Sequence, residues 1–268
     1  MPVSEADDRN GERVVQLSLR HERGFSLAEI AVVMVIVGLL IGGLLAPLSA
    51  QMEQRNFADT QKRIEYANEL LLGFAIANGR LPCPASSSSG GDESPTGGIG
   101  TCTNNYDGYL PARALGMQPT DSSGYALDAF NNRIRYALSK TVTPGGCTGS
   151  PPFSSSTNLK ANGLQCLPSD LLVCSSSQAS GFSSTSCGTN NSLVNQNTVV
   201  AIVFSMGKNS AASDATRLDE LANTDANATF VYHTPAPTGA TGGEYDDQMV
   251  WISAGLLFGR MVSAGVLP

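Results

Sequence analysis

The sequence predicts an α+β protein, a long N-terminal helix packed on an antiparallel β-sheet. Three features lead there. From Ile30 to Ala46 no side chain is charged or strongly polar, and a helical spacing of apolar residues continues after it. Gly79 and the run Leu81-Pro82-Cys83-Pro84 then stop the helix. Beyond them come short β-branched and aromatic runs separated by turn residues, the pattern of strands.

Composition narrows the class of protein. A chain of 268 residues is long enough for one core or two small ones. Only 15% of its residues are charged and the net charge is −7, with no basic patch or stripe, so no nucleic-acid partner is expected. The six cysteines, Cys83, Cys102, Cys147, Cys166, Cys174 and Cys187, all follow the apolar run, and none forms a C-x-x-C pair. Wide spacing in loop-like sequence predicts disulfides and an oxidising compartment. Zinc sites use closely spaced ligand pairs, and His233 is the sole histidine beyond residue 24. Neighbour pairing, Cys83–Cys102, Cys147–Cys166 and Cys174–Cys187, is the simplest connectivity.

The helix is expected from Phe25 to about Asn78. Residues 25–50 are apolar except for Ser26, Glu29 and Ser49, long enough for a span of about 20 residues across a bilayer. From 51 to 78 the helix turns amphipathic, with Phe57, Ile64 and Leu71 seven residues apart and Ala67 and Phe74 between them. At 1.5 Å per residue the whole helix is roughly 80 Å long. Pro47 is expected to kink it, since proline removes a hydrogen bond and clashes with the preceding turn. Gly38, Gly42 and Gly43 either permit close helix packing or soften the segment.

Glu29 sets the functional question. A carboxylate near a bilayer centre costs about 2.5–3.5 kcal/mol on insertion scales, so it needs an edge position or a partner. A cleaved secretory signal has a shorter apolar core ahead of its cleavage site, and an ordinary signal anchor leaves Glu29 unexplained. The remaining reading places a processing site before the apolar run, between Gly24 and Phe25.

The stretch Gly24-Phe25-Ser26-Leu27-Ala28-Glu29 resembles the processing signal of type IV pilins and type II secretion pseudopilins. That resemblance implies a leader peptide at 1–24, cut by a prepilin peptidase between Gly24 and Phe25, with N-methylation of Phe25. It implies a transmembrane and filament-core helix at 25–50, its amphipathic continuation at 51–78, and a globular head at 79–268. Glu29 is then expected to pair with the N-terminal amine of a neighbouring subunit. An unpaired buried charge is costly and opposite charges attract strongly at low dielectric, so the pair fixes axial register. The implied partners are other pilin or pseudopilin subunits, the peptidase, an inner-membrane assembly platform and the membrane. The implied location is the bacterial inner membrane, single-pass with the head in the periplasm, and then the filament.

In the head, Asp128-Ala-Phe-Asn-Asn-Arg-Ile-Arg-Tyr136 resembles the D-P-W-G-x-x-x-x-Y element of pseudopilins, with Ala129, Phe130 and Asn131 in place of Pro, Trp and Gly. Strands are expected near Ile134–Leu138, Thr198–Phe204, Thr229–His233 and Met249–Ile252. Residues 141–197 read as a long disulfide-stapled loop, and 254–262 as a short helix or a further strand that ends at Gly265.

No catalytic constellation emerges. Gly207-Lys208 lacks the first glycine of a phosphate loop, Ile202 standing in its place, and His233 lies in an apolar strand. Asp219, Asn223, Asp225 and Asn227 put oxygens at alternate positions, with Glu244, Asp246 and Asp247 downstream. These oxygens suit calcium, and major pseudopilins bind calcium in a C-terminal loop. Against it, the EF-hand glycine and terminal glutamate are missing, and no other cofactor is indicated. The reading that follows is a non-enzymatic structural subunit, of minor type given its large Cys-rich head, in a type IV pilus or secretion pseudopilus. The alternatives are a filament-displayed adhesin and an anchored periplasmic protein that never assembles.

Overall fold

A computed structural model describes residues 24–97, 100–140, 153–165, 167–195, 197–210 and 215–267, without the side chains of 43–47. The chain divides into two compact units, Met1–Gln51 and Met52–Pro268. Helix α1, Leu27–Asn78, contributes its first half to the former and its second half to the latter. Helix assignment runs through position 47, while the side chain that carries the expected kink lies outside the described set.

In the first unit the apolar residues Ile30, Val32, Val33, Met34, Val35, Ile36, Val37, Leu39, Leu40 and Ile41 are all exposed. At 3.6 residues per turn such a run covers every face of the helix. A helix that is apolar all round belongs inside a protein or a membrane. Among the described residues no helix is long and apolar enough to cross a membrane; the described side chains of the apolar run end at Gly42.

The second unit holds the core. Ile64, Ala67, Leu71 and Ala75, three or four residues apart, form one fully buried stripe of α1. The helix ends where Gly79 takes a left-handed backbone, φ 68°, and donates its N–H to Ala75 O at 2.8 Å. Strand β1 (Gly108–Tyr109), a short helix α2 (Ala112–Leu115) and strand β2 (Arg135–Leu138) follow. Residues 156–162 form α3 and 172–174 form β3, and a hairpin is made by β4 (Phe182–Ser183) and β5 (Ser186–Cys187). The chain closes with β6 (Val199–Ser205), α4 (Leu218–Leu221), β7 (Thr229–Val231), β8 (Gln248–Ser253) and α5 (Ala254–Ser263).

The main sheet is antiparallel, in the order β1-β2-β6-β8. One face presents Ile134, Tyr136, Leu138, Ala201, Val203 and Ile252 to the cluster that holds the α1 stripe and Leu257, Phe258 and Met261 of α5. The opposite face presents Ala137, Ile202, Phe204 and Met249 to Val173 of β3 and Phe230 of β7. Strand β6 is buried at all seven positions because both faces are covered. A register shift between Val199 and Ala201 puts Val200 and Ala201 on the same face, as a bulge does.

One expectation is corrected and one open choice is resolved. Residues 141–197 are not one loop: 153–195 contain α3, the β4–β5 hairpin and β3, which pairs parallel with β7 to cover the second sheet face. Three residues are too few to register as a period amid Ser and Gly, so β3 had no visible pattern. Residues 254–262 resolve as a helix, α5, whose cap Ser253 accepts the Leu256 N–H. Two of the expected disulfides are present, Cys83–Cys102 and Cys174–Cys187, each with Cα atoms 5.3 Å apart. The pair Cys147–Cys166 lies outside the described residues.

Candidate functional site

The segment singled out for processing and assembly is the start of α1. Phe25 is 83% exposed and Leu27 89%. The first turn is closed by a reciprocal pair: the backbone N–H of Ser26 donates to Glu29 Oε2 at 2.8 Å, and the Glu29 N–H donates to Ser26 Oγ at 3.2 Å. Ser26 O also accepts the Ile30 N–H at 3.2 Å. This is a capping box, Ser-x-x-Glu, which satisfies two otherwise orphaned N–H groups. The carboxylate at the positive end of the helix dipole is stabilised there as well. The sequence signal Ser26-Leu-Ala-Glu29 was visible; Ser26 was missed because Glu29 was read only as a group seeking a partner on another subunit.

The Asp128 turn joins the second half of α1 to the sheet. Asp128 Oδ1 accepts the N–H groups of Phe130 and Asn132, each at 2.8 Å, and Oδ2 accepts Ser205 Oγ–H at 2.5 Å. From α1, Arg63 donates to Leu127 O and Asp128 O, and Thr60 Oγ1 accepts the Ala129 N–H. Each departure from D-P-W-G is accommodated. Asn131 sits at φ 67°, a conformation natural to glycine that asparagine tolerates best among the others. Phe130 packs edge-on against Phe57 of α1, ring centres 5.2 Å apart. Burial pushes the Asp128 carboxyl upward, opposed by its hydrogen bonds from Ser205, Asn132 and Phe130.

The residues expected to hold calcium each have protein partners. Asp219, buried, accepts from Ser177 N–H and Oγ–H, each at 2.6 Å, and lies 3.2 Å from His233 Nε2. Asn223 uses both ends of its amide, donating to Val231 O and Asp247 Oδ2 and accepting the Val231 N–H. Asp225 and Asn227 bond to each other in an exposed local turn. His233, the sequence's sole candidate base, stacks on Tyr245 with ring centres 3.9 Å apart, a structural placement.

Three other carboxylates do meet. Glu220, Asp246 and Asp247 are buried and bring one oxygen each within 4.8 Å of the others. Arg217 Nη1 pairs with Glu220 at 2.8 Å, and Glu220 also accepts the Asp246 N–H at 2.9 Å. Asp246 Oδ1 has no hydrogen-bond partner and presses on Gly207, where a Cβ would sit 1.8 Å from it; glycine is obligatory there, at φ 60°. Burial first, then the Glu220 charge, pushes Asp246 up to about 7. Burial raises Asp247 well above the usual carboxylate range. Oxygen donors of this kind fit a hard divalent cation, and without one the group is stabilised by protons. Glu220 was not among the candidates read from sequence, since it lies far along the chain from the Asp246-Asp247 pair.

Residues 19–45 match the model of the prokaryotic N-terminal methylation motif, the signature of type IV pilin and pseudopilin precursors. The match covers the leader end and the start of α1, and a motif of this kind implies prepilin-peptidase processing and assembly with other pilin subunits. No curated protein and no solved structure matches the chain.

Proposed function

We propose that this chain is the precursor of a minor subunit of a type IV pilus or type II secretion pseudopilus. It is cleaved between Gly24 and Phe25, methylated at Phe25, held in the inner membrane as a single span, and polymerised through α1. The observation that carries this reading is the methylation motif over 19–45 running directly into a helix whose apolar side chains are exposed on every face. Such a surface is stable only when lipid or other helices cover it.

Several features support the finer parts. Disulfides Cys83–Cys102 and Cys174–Cys187 agree with a head delivered to an oxidising compartment. The helix-on-sheet core agrees with a pilin-like head, and the Asp128 turn resembles the pseudopilin D-P-W-G-x-x-x-x-Y element in Asp128 and Tyr136, with Phe130 and Asn131 taking the aromatic and turn positions. Glu29 supplies the charge that pairs with a neighbour's N-terminal amine and sets register.

The test is Glu29→Ala in the native host, with sheared filaments separated from membranes. The reading predicts a chain still cleaved and inserted but depleted from the filament fraction at least tenfold. Incorporation at the native level would sink register pairing. Absence of the unmodified chain from every filament would favour the anchored, non-assembling alternative.

A further inference from the structure

We infer that Ser26 is the positioning residue for Glu29, through the capping box that closes the first turn of α1; this rests on the assembly reading above. Three observations carry it. The Ser26 N–H holds Glu29 Oε2 at 2.8 Å and Ser26 Oγ holds the Glu29 N–H at 3.2 Å, so side chain and backbone of Glu29 are fixed by one residue. The box engages Glu29 Oε2 alone and leaves Oε1 outside it, so one carboxylate oxygen is tethered while the other is free of the box. The flanking side chains Phe25 and Leu27 are 83% and 89% exposed.

The physical consequence is twofold. In an apolar medium an unsatisfied N–H or carboxylate oxygen is costly, and the box satisfies two N–H groups and one carboxylate oxygen within the lone subunit. It also folds the carboxylate back over the first turn, at the N-terminal edge of the helix. Without Ser26 Oγ the first turn loses the bond that holds the Glu29 backbone beside the Ser26 N–H. The remaining tether loosens, and the three rotatable bonds of Glu29 spread the charge over several rotamers, from which each pairing event must first select one. A box formed in advance removes that selection, the general benefit of preorganisation.

The experiment compares Ser26→Ala, which deletes the Oγ acceptor of the Glu29 N–H and keeps only the backbone N–H that holds Glu29 Oε2, with Ser26→Thr, which retains both. Each full-length variant is expressed in the native host and read three ways. The mature N-terminal mass reports cleavage, the ratio of filament to membrane subunit reports assembly, and hydrogen exchange at the Glu29 amide in detergent micelles reports the box. Ser26→Ala is expected to be cleaved like the native chain, to lose about fivefold in the assembly ratio and to exchange about fivefold faster, the size of a lost helix cap. Ser26→Thr restores both. Native-level assembly of Ser26→Ala, unchanged exchange, or failure of threonine to rescue overturns the inference. A native chain that never enters a filament instead overturns the assembly reading, and the exchange measurement then judges the box by itself.

Discussion

Asp128 bonds to the N–H groups of Phe130 and Asn132 and to Ser205, so one side chain closes a turn and ties it to the central strand. Removing it leaves buried donors unsatisfied, at about 1–3 kcal/mol each. Asp128→Ala is therefore expected to destabilise the head by about 2–4 kcal/mol in chemical denaturation. Asn131, in the left-handed region at φ 67°, gives the opposite sign: Asn131→Gly should be neutral or stabilising by up to about 1 kcal/mol, and Asn131→Val destabilising by about 1–2. Equal stability of the Gly and Val variants would show that the backbone of the turn is not the constraint. These roles were half legible in the sequence. The acid, the aromatic and the turn residue stood at recognisable spacing, but the anchors Thr60 and Arg63 lie on another element and share no local pattern with it.

At the scale of elements, the load falls on the α1 stripe and on the two staples. Leu71 is fully buried between the helix and the sheet. Leu71→Ala should cost about 2–5 kcal/mol and leave cleavage at the N-terminus unchanged, because processing depends on a different part of the helix. Replacing both Cys174 and Cys187 by serine opens a short loop and is expected to lower stability by about 2–4 kcal/mol, with a transition in the native chain that shifts on adding reductant. Unchanged midpoints in either case would contradict the described core. Strands β6 and β8 were readable because each is a continuous β-branched or aromatic run. The helix was readable from its period and its stop at Gly79. The parallel pair β3–β7 was legible by half: the strand expected at Thr229–His233 holds β7, whereas β3 is three residues long amid Ser and Gly and owes its pairing to the sheet face it covers.

For the molecule as a whole, the buried carboxylates make stability depend on pH. Asp246 is raised from its ordinary value to about 7, so the folded state binds its proton more tightly than the unfolded chain does. That contribution is fully present below about pH 4 and is lost as pH rises through about 7. The melting temperature is expected to fall by several degrees between pH 5 and pH 8, and Asp246→Asn should flatten the profile. Addition of calcium at pH 8 should restore the loss if a hard cation takes the protons' place. A native profile that rises over this range would refute the electrostatic account of the cluster. This cluster was the least legible feature: its members come from α4 and from the segment before β8, and only the fold brings them together. The N-terminal motif was the most legible feature, since Gly24, Phe25 and Glu29 are read from local spacing alone and the motif match over residues 19–45 rests on that same stretch. The central claim is tested most directly by intact mass spectrometry of the chain purified from membranes of a host that has a prepilin peptidase. The account predicts a mature N-terminus at Phe25 carrying one added methyl group, whereas retention of residues 1–24, or a terminus at any other residue, would contradict it.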